Sequence, residues 1–225
     1  IRASHHDWLV TIDDDCYPES ENWLYSIAKK IEIENCDIVL GISPFISQPG
    51  FLQKFIRFDW LRTTLDLLSS WSLNRPIFGV GRNMAFLKNL WTEEYLNQYM
   101  KLGAGDDTCL VQYYKASKKI NLMTDSQVFT FPKLTFYEWI LQKNRHYKTG
   151  FQLNLQDKKY LAQTPMFLFL FFTGIWIWIS WLAHPFIPIL LYMFYCICRT
   201  KQLFQVEKFL SVRHKICWFV PVIEP

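Results

Sequence analysis

The chain has 225 residues, of which 51% are hydrophobic, 18% aromatic and 20% charged, with only 8 Gly and 10 Pro. Such composition excludes a disordered or collagen-like chain, and the length suits one domain with an appendage. A net charge of +4, from 24 Lys and Arg against 20 Asp and Glu, is too mild to argue for a nucleic-acid partner.

Residues 8–12 form a short apolar, β-branched run that reads as a buried strand. It leads directly into Asp13, Asp14 and Asp15. Pro18 then punctuates, and Trp23, Ile27 and Ile31 recur at the spacing of one helix face. Residues 37–42 read as a second strand. Strand, carboxylate loop, helix and strand make a βαβ-like unit and predict an α/β sheet. Ligands of such sheets gather at the carboxyl ends of the strands, where the acidic triplet falls. Residues 51–71 read as a helix with aromatics on several faces, packed on the domain core or grazing a membrane. Gly79-Val80-Gly81-Arg82-Asn83 is a Gly-spaced loop that lacks the third glycine of a dinucleotide fingerprint. Gly103-Ala104-Gly105-Asp106-Asp107 is a second carboxylate loop. A helix at 108–114, a short strand at 128–131 and a helix at 136–147 follow, the last carrying Trp139, Gln142, Arg145 and His146.

Residues 165–198 contain no Asp, Glu, Lys or Arg, and a membrane-spanning helix needs roughly 20 apolar residues. The candidates are 165–183 and a shorter 186–198, separated at His184-Pro185. A two-helix hairpin competes with one span plus an interfacial helix, and a buried soluble helix is the plain alternative. Lys158 and Lys159 precede the block, and Arg199, Lys201, Lys208, Arg213 and Lys215 follow it. These positive flanks favour a hairpin with both ends on the cytoplasmic side. Leu203, Val206, Phe209 and Leu210 among basic residues fit an amphipathic interfacial helix at 202–214, with an ordinary connector as the alternative. The division expected is a catalytic domain at 1–160, a transmembrane hairpin at 161–200, and an interfacial helix with the start of a further apolar segment at 201–225. Both ends read as cut, because Ile1 leads straight into a strand-like run and an apolar stretch begins at 218. The six cysteines form no CxxC pair, so neither zinc nor a disulfide framework is supported.

Three buried carboxylates in a row repel one another unless a cation is present. Asp13 and Asp15, two apart at a strand end, point roughly the same way. They suit Mg²⁺ or Mn²⁺, hard cations that take carboxylate oxygens and often share a diphosphate; a solvated acidic loop or helix cap is the alternative. Asp106 and Asp107 suit a second metal ligand or a general base, or else an N-cap for the next helix. Gln142, Arg145 and His146 share one helix face, where Arg145 suits a phosphate; an ordinary polar surface is equally open.

Taken in order, Asp13-Asp14-Asp15, Gly79-Val80-Gly81-Arg82-Asn83, Gly105-Asp106-Asp107, Gln142-Lys143-Asn144-Arg145-His146 and an apolar block resemble a membrane-associated family 2 glycosyltransferase. The likeness is to the cellulose and hyaluronan synthase kind, with the QKxRH variant of Bacteroidetes-type members. The resemblance implies an α/β fold, a partial GT-A (Rossmann-like) domain followed by transmembrane helices, in the inner membrane with the catalytic domain cytoplasmic. It implies a metal–diphosphate site at Asp13 and Asp15, with Gln142, Arg145 and His146 beside the donor. It implies a general base at Asp107 with Asp106 beside it, and a donor and acceptor loop at Gly79, Gly81 and Asn83. It also implies a divalent cation (Mg or Mn), a nucleotide-sugar donor, a glycan or lipid-linked acceptor and membrane lipid as partners. The chain departs by carrying His146 where the family usually has Trp, which puts processive polymer synthesis in doubt. It also departs by lacking the nucleotide-gripping strands upstream of Asp13. Two rival functions are a non-catalytic membrane remnant and a two-metal phosphotransfer enzyme using both Asp clusters.

Overall fold

A computed structural model describes residues 1, 3–99, 105–182, 186–212 and 220. Gly103, Ala104, the expected break at His184 and Pro185, and all of 218–225 except Val220 lie outside the described residues.

A five-stranded sheet holds β1 (Trp8–Thr11), β2 (Cys16–Pro18), β3 (Ile38–Ile42), β4 (Met84–Leu87) and β5 (Ile120–Thr130) in the order β1-β4-β3-β5-β2. β4 runs antiparallel to both β1 and β3, β5 is parallel to β3, and β2 is antiparallel to β5. The first and second expected strands are therefore parallel but not neighbours, since β4 inserts between them. Only residues 12–15 join β1 to β2, which occupy opposite edges. Such a short link spans less than about 20 Å even when extended, so the sheet must curl, and the acidic triplet bridges its two edges.

β2 is absent from the sequence reading because Pro18 reads as a breaker; it is tolerated here because β2 is an edge strand. β5 begins at Ile120, well before the short strand expected at 128–131. The register along β3 shifts between Gly41 and Ile42, whose partners are Met123 and Gln127. Thr124, Asp125 and Ser126 bulge out of the ladder there, and their polar run hides the strand's continuity.

Both faces of the sheet are covered, and β3 is buried along its whole length. On one face Val39 and Ala85 pack with Trp23 and Ile27 of α1 (Trp23–Glu34), as the helical spacing predicts. On the other, Ile38, Leu40, Ile42, Met84 and Phe86 pack against α2 (Phe51–Ser72), which contributes Ile56, Phe58, Leu61 and Leu67. The helix at 51–71 thus packs on the core. Each such fully buried large apolar side chain contributes about 1.5–3 kcal/mol. A short helix α3 (Glu93–Tyr99) precedes α4 (Asp106–Tyr114), whose Leu110, Val111 and Tyr114 join the same core. α5 (Phe136–Gly150) opens with a capping box, in which Thr135 Oγ1 accepts from the Glu138 amide and Glu138 accepts from the Thr135 amide.

α6 (Leu155–Leu182) runs through Pro165 instead of starting there, and α7 (Phe186–Phe209) follows. Among the described residues one helical stretch, Leu155–Ile179, is long and apolar enough to cross a membrane, and none of its apolar window is buried in the protein. α7 is not, because its apolar part gives way to Arg199, Lys201 and Lys208. The two helices meet through Phe171 against Tyr195, with ring centroids 5.5 Å apart, and Phe172 against Tyr192 at 6.1 Å.

Of the segment expected as an interfacial helix, residues 202–209 form the C-terminal end of α7, and 213–214 lie outside the described residues. Leu203, Val206 and Leu210 are buried in the domain core, whereas Phe209 is exposed. Gln127 Nε2 donates to the Leu210 carbonyl at 2.5 Å, tying the end of α7 to β5. Three of the four apolar positions that sequence periodicity detects there are therefore covered by the domain core.

The foot of α6 is fastened by charge. Asp157 is 1% exposed and bonds Arg75 Nη2 at 3.2 Å, with Lys115 paired to its other oxygen. Lys115 is the C-cap of α4. Asp157→Ala should lower stability by about 1–3 kcal/mol, less than for a fully enclosed pair because Arg75 and Lys115 can rehydrate. Thermal unfolding in detergent measures this; an unchanged midpoint contradicts the anchoring role.

Candidate active site

The acidic triplet closes a turn in which the Cys16 amide donates to the Asp13 carbonyl at 3.1 Å. This brings one carboxylate oxygen each of Asp13 and Asp15 and the Cys16 Sγ within 4.8 Å of one another. Cys16 Sγ donates to Asp15 Oδ1 at 3.2 Å, and Lys133 Nζ stands 4.0 Å from Asp15 Oδ2. Desolvation pushes the Asp13 carboxyl above the usual range; Arg82 opposes this, while Asp15, Asp14 and Asp106 add to it. The Cys16 thiol is pushed up to about 11, chiefly by desolvation, so it is protonated at neutral pH and acts as a hydrogen-bond donor. Two convergent carboxylates crowded by like charge fit a hard divalent cation, with oxygen ligands from Asp13 and Asp15.

The Gly-spaced loop folds against the start of α4. The Gly81 amide donates to Asp107 Oδ2 at 2.8 Å, and the Thr108 amide donates to Asp107 Oδ1 at 2.6 Å. A Cβ on Gly79 would stand 2.5 Å from the Asp107 carbonyl oxygen, so only glycine lets the two backbones approach this closely. Gly105 sits at the α4 N-cap with φ +80, and a Cβ there would meet Thr149 of α5 at 2.2 Å. The cap position therefore belongs to Gly105, and neither Asp106 nor Asp107 fills it. Asp106 is exposed and its carbonyl accepts from Tyr95 Oη at 2.7 Å. Burial raises the Asp107 pKa; the Gly81 and Thr108 amides and Arg82 work against that shift, and Asp106 reinforces it.

Arg82 is the residue that sequence reasoning missed. Its Nε donates to Ser43 Oγ at 2.6 Å and its Nη2 to the Ser43 carbonyl at 3.2 Å, and its guanidinium lies 5.2 Å from the Phe45 ring centroid. So pinned, it lies within electrostatic range of the Asp13, Asp15 and Asp107 carboxylates. The available signal was a lone cation inside a glycine-spaced loop in a chain with two acidic clusters.

Asn83 corrects an expectation. It is 1% exposed; its Nδ2 donates to the Ile42 carbonyl at 2.8 Å and the Ser126 carbonyl at 3.2 Å, and its Oδ1 accepts from Trp23 Nε1 at 3.0 Å. The side chain cross-links β3, β5 and α1 behind the site and does not line it.

On α5, Gln142 is half-buried while Arg145 and His146 are exposed. Local desolvation, helped by Lys143, Arg82 and Arg145, lowers the His146 pKa to about 4, so its ring is neutral at pH 7. His146 is thus within electrostatic reach of Arg82. Among the described residues, no side-chain hydrogen bond or ion pair joins Gln142 or Arg145 to the carboxylates. Arg145 borders a surface groove with Tyr147, Lys148 and Phe151.

A curled α/β sheet that gathers carboxylates and an arginine at one end of its strands is suited to a phosphate-bearing ligand. Residues 1–93 match the family model described as Glycosyl transferase family 2. The match covers Asp13, Asp15, Gly79, Gly81, Arg82 and Asn83 and stops short of Asp107 and α5. No curated protein matches the chain.

Proposed function

We propose that the protein is an inverting glycosyltransferase that moves a sugar from a nucleotide-sugar donor to a hydroxyl of a glycan or lipid-linked acceptor. It would work at the cytoplasmic face of the inner membrane, with α6 and the uncharged first half of α7 (186–198) as a membrane hairpin. The observation that carries this reading is the convergence of Asp13, Asp15, Arg82 and Asp107 about the Gly79–Gly81 turn, joined to the family 2 match.

Asp107 accepts the proton of the acceptor hydroxyl as its oxygen attacks the anomeric carbon. The bond from that carbon to the diphosphate breaks on the opposite side, so the configuration inverts. Negative charge grows on the leaving nucleoside diphosphate, and Arg82, already held by Ser43 and Phe45, offsets it without rearrangement. Gln142, Arg145 and the neutral His146 supply further donors on the α5 side. Asp13 and Asp15 would hold a divalent cation, which would supply further charge neutralisation at the diphosphate.

Titrating a labelled nucleotide sugar with Mn²⁺ tests the donor half of this reading. Saturable, metal-dependent binding is expected, and Asp13→Ala or Asp15→Ala should weaken it more than about 10-fold. Binding indifferent to both the metal and the two substitutions rules the assignment out.

A further inference from the structure

A cleft of about 770 Å³ lies between α2, α6 and α7, beside the start of β5 at Asn121 and Leu122. The acidic turn is at the other end of that strand, where Cys16 pairs with Thr130, so the cleft plays no part in the transfer chemistry. Its position in the chain is its main feature. Tyr160, Leu161, Gln163 and Thr164 line it immediately before the uncharged run 165–198, and Arg199, the first charged residue after that run, lines it too. The run leaves the domain and returns to it at the same cleft. Beyond the rim, Met166, Phe167, Phe169 and Leu170 of α6 and Ile197 of α7 are exposed.

If the uncharged run lies in hydrocarbon, this cleft opens at the boundary between hydrocarbon and water, where Trp and Tyr are at home; Trp71 and Tyr160 line it. Its cations are Arg199 and Lys30, against a single acid, Asp66. Arg199 Nη1 donates to Gln202 Oε1 at 3.4 Å, and Lys30 stands 3.6 Å from Glu34 on its own helix. The remaining polar lining is mostly carboxamides and hydroxyls, among them Gln163 and Gln202. Cations, uncharged hydrogen-bonding groups and an adjoining apolar helix surface match a phosphate with a hydroxyl-bearing headgroup and acyl chains. We propose that this cleft binds the headgroup of an anionic phospholipid, whose acyl chains lie along α6 and α7. The proposal rests on the membrane part of the proposed function.

The test uses the full chain in nanodiscs of equimolar phosphatidylcholine and phosphatidylglycerol, followed by a wash in neutral detergent and mass-spectrometric counting of retained lipid. Phosphatidylglycerol should be enriched over phosphatidylcholine. Arg199→Gln with Lys30→Gln should reduce the enrichment by about five-fold for each cation removed, the equivalent of about 1 kcal/mol per basic side chain at an anionic surface. Ser69→Trp fills the cleft without changing charge and should lower retention similarly. Lys158→Gln with Lys159→Gln removes basic charge just outside the cleft and should leave retention unchanged. No enrichment, or equal loss in that last variant, overturns the cleft assignment. Flotation with vesicles of phosphatidylcholine alone tests the membrane reading separately: protein that floats yet shows no lipid preference sinks only the cleft.

Discussion

Asp107→Asn should reduce sugar transfer by about 10²–10⁴-fold while leaving metal-dependent donor binding intact. The carboxylate is held by the Gly81 and Thr108 amides at 2.8 and 2.6 Å, so its position is set by backbone and does not depend on side-chain freedom. Those amides favour the charged form, but burial outweighs them and the pKa is raised. A base must be ionised, so the acid limb of kcat/KM should fall at higher pH than an ordinary Asp, with activity lost as pH drops through the raised value. The stability sign is the reverse of the common Asp case. A folded pKa above the unfolded one means that protonation favours the fold. That contribution is complete below the unfolded value and disappears as pH rises through the folded value. At neutral pH the ionised carboxylate therefore costs stability, and Asn removes that cost while losing one amide acceptor. An unchanged or raised melting temperature alongside lost transfer separates chemistry from folding. Transfer that persists in this variant removes Asp107 from the base role.

Asn83→Ala should destabilise the domain by about 3–6 kcal/mol, enough to unfold many domains of this size. The substitution strands three buried partners: the Trp23 indole N–H, the Ile42 carbonyl and the Ser126 carbonyl. It also opens a cavity beside Gly41, where a Cβ would stand 2.2 Å from the Asn83 side chain. Asp cannot substitute, because its carboxylate would face two carbonyl oxygens. The loss is read as the shift in urea midpoint with the slope unchanged. A variant that folds normally but loses donor affinity would return Asn83 to the ligand-facing role expected from the family resemblance.

These two residues show how differently a motif can be used. Gly79, Gly81 and Asn83 look like one loop facing one ligand. In the folded chain the glycines face Asp107 and the Asn faces backward into the sheet. The reason is the short 3-10 turn Gly81–Asn83, which places successive side chains on different sides. Arg82, between them, points to the acidic turn. Spacing alone does not separate these directions, because the turn's hydrogen bonds set them.

Local chemistry was legible wherever one residue type leaves few choices. The acidic triplet after an apolar run, the Gly-spaced loop, the helix faces of α1 and α5 and the long uncharged run could all be read from residue order and periodicity. They sufficed for an α/β class, a carboxylate-based site and a family resemblance that the match over residues 1–93 bears out. Three things needed the tertiary structure. The placement of β4 between β1 and β3 depends on pairing between segments more than seventy residues apart, as with Thr11 and Met84. The burial of Leu203, Val206 and Leu210 depends on which apolar surface competes for an amphipathic face, and here the sheet and α2 bind it. The meeting of Arg82 with Asp13, Asp15 and Asp107 depends on the curl of the sheet, a property of five strands together that no single strand encodes.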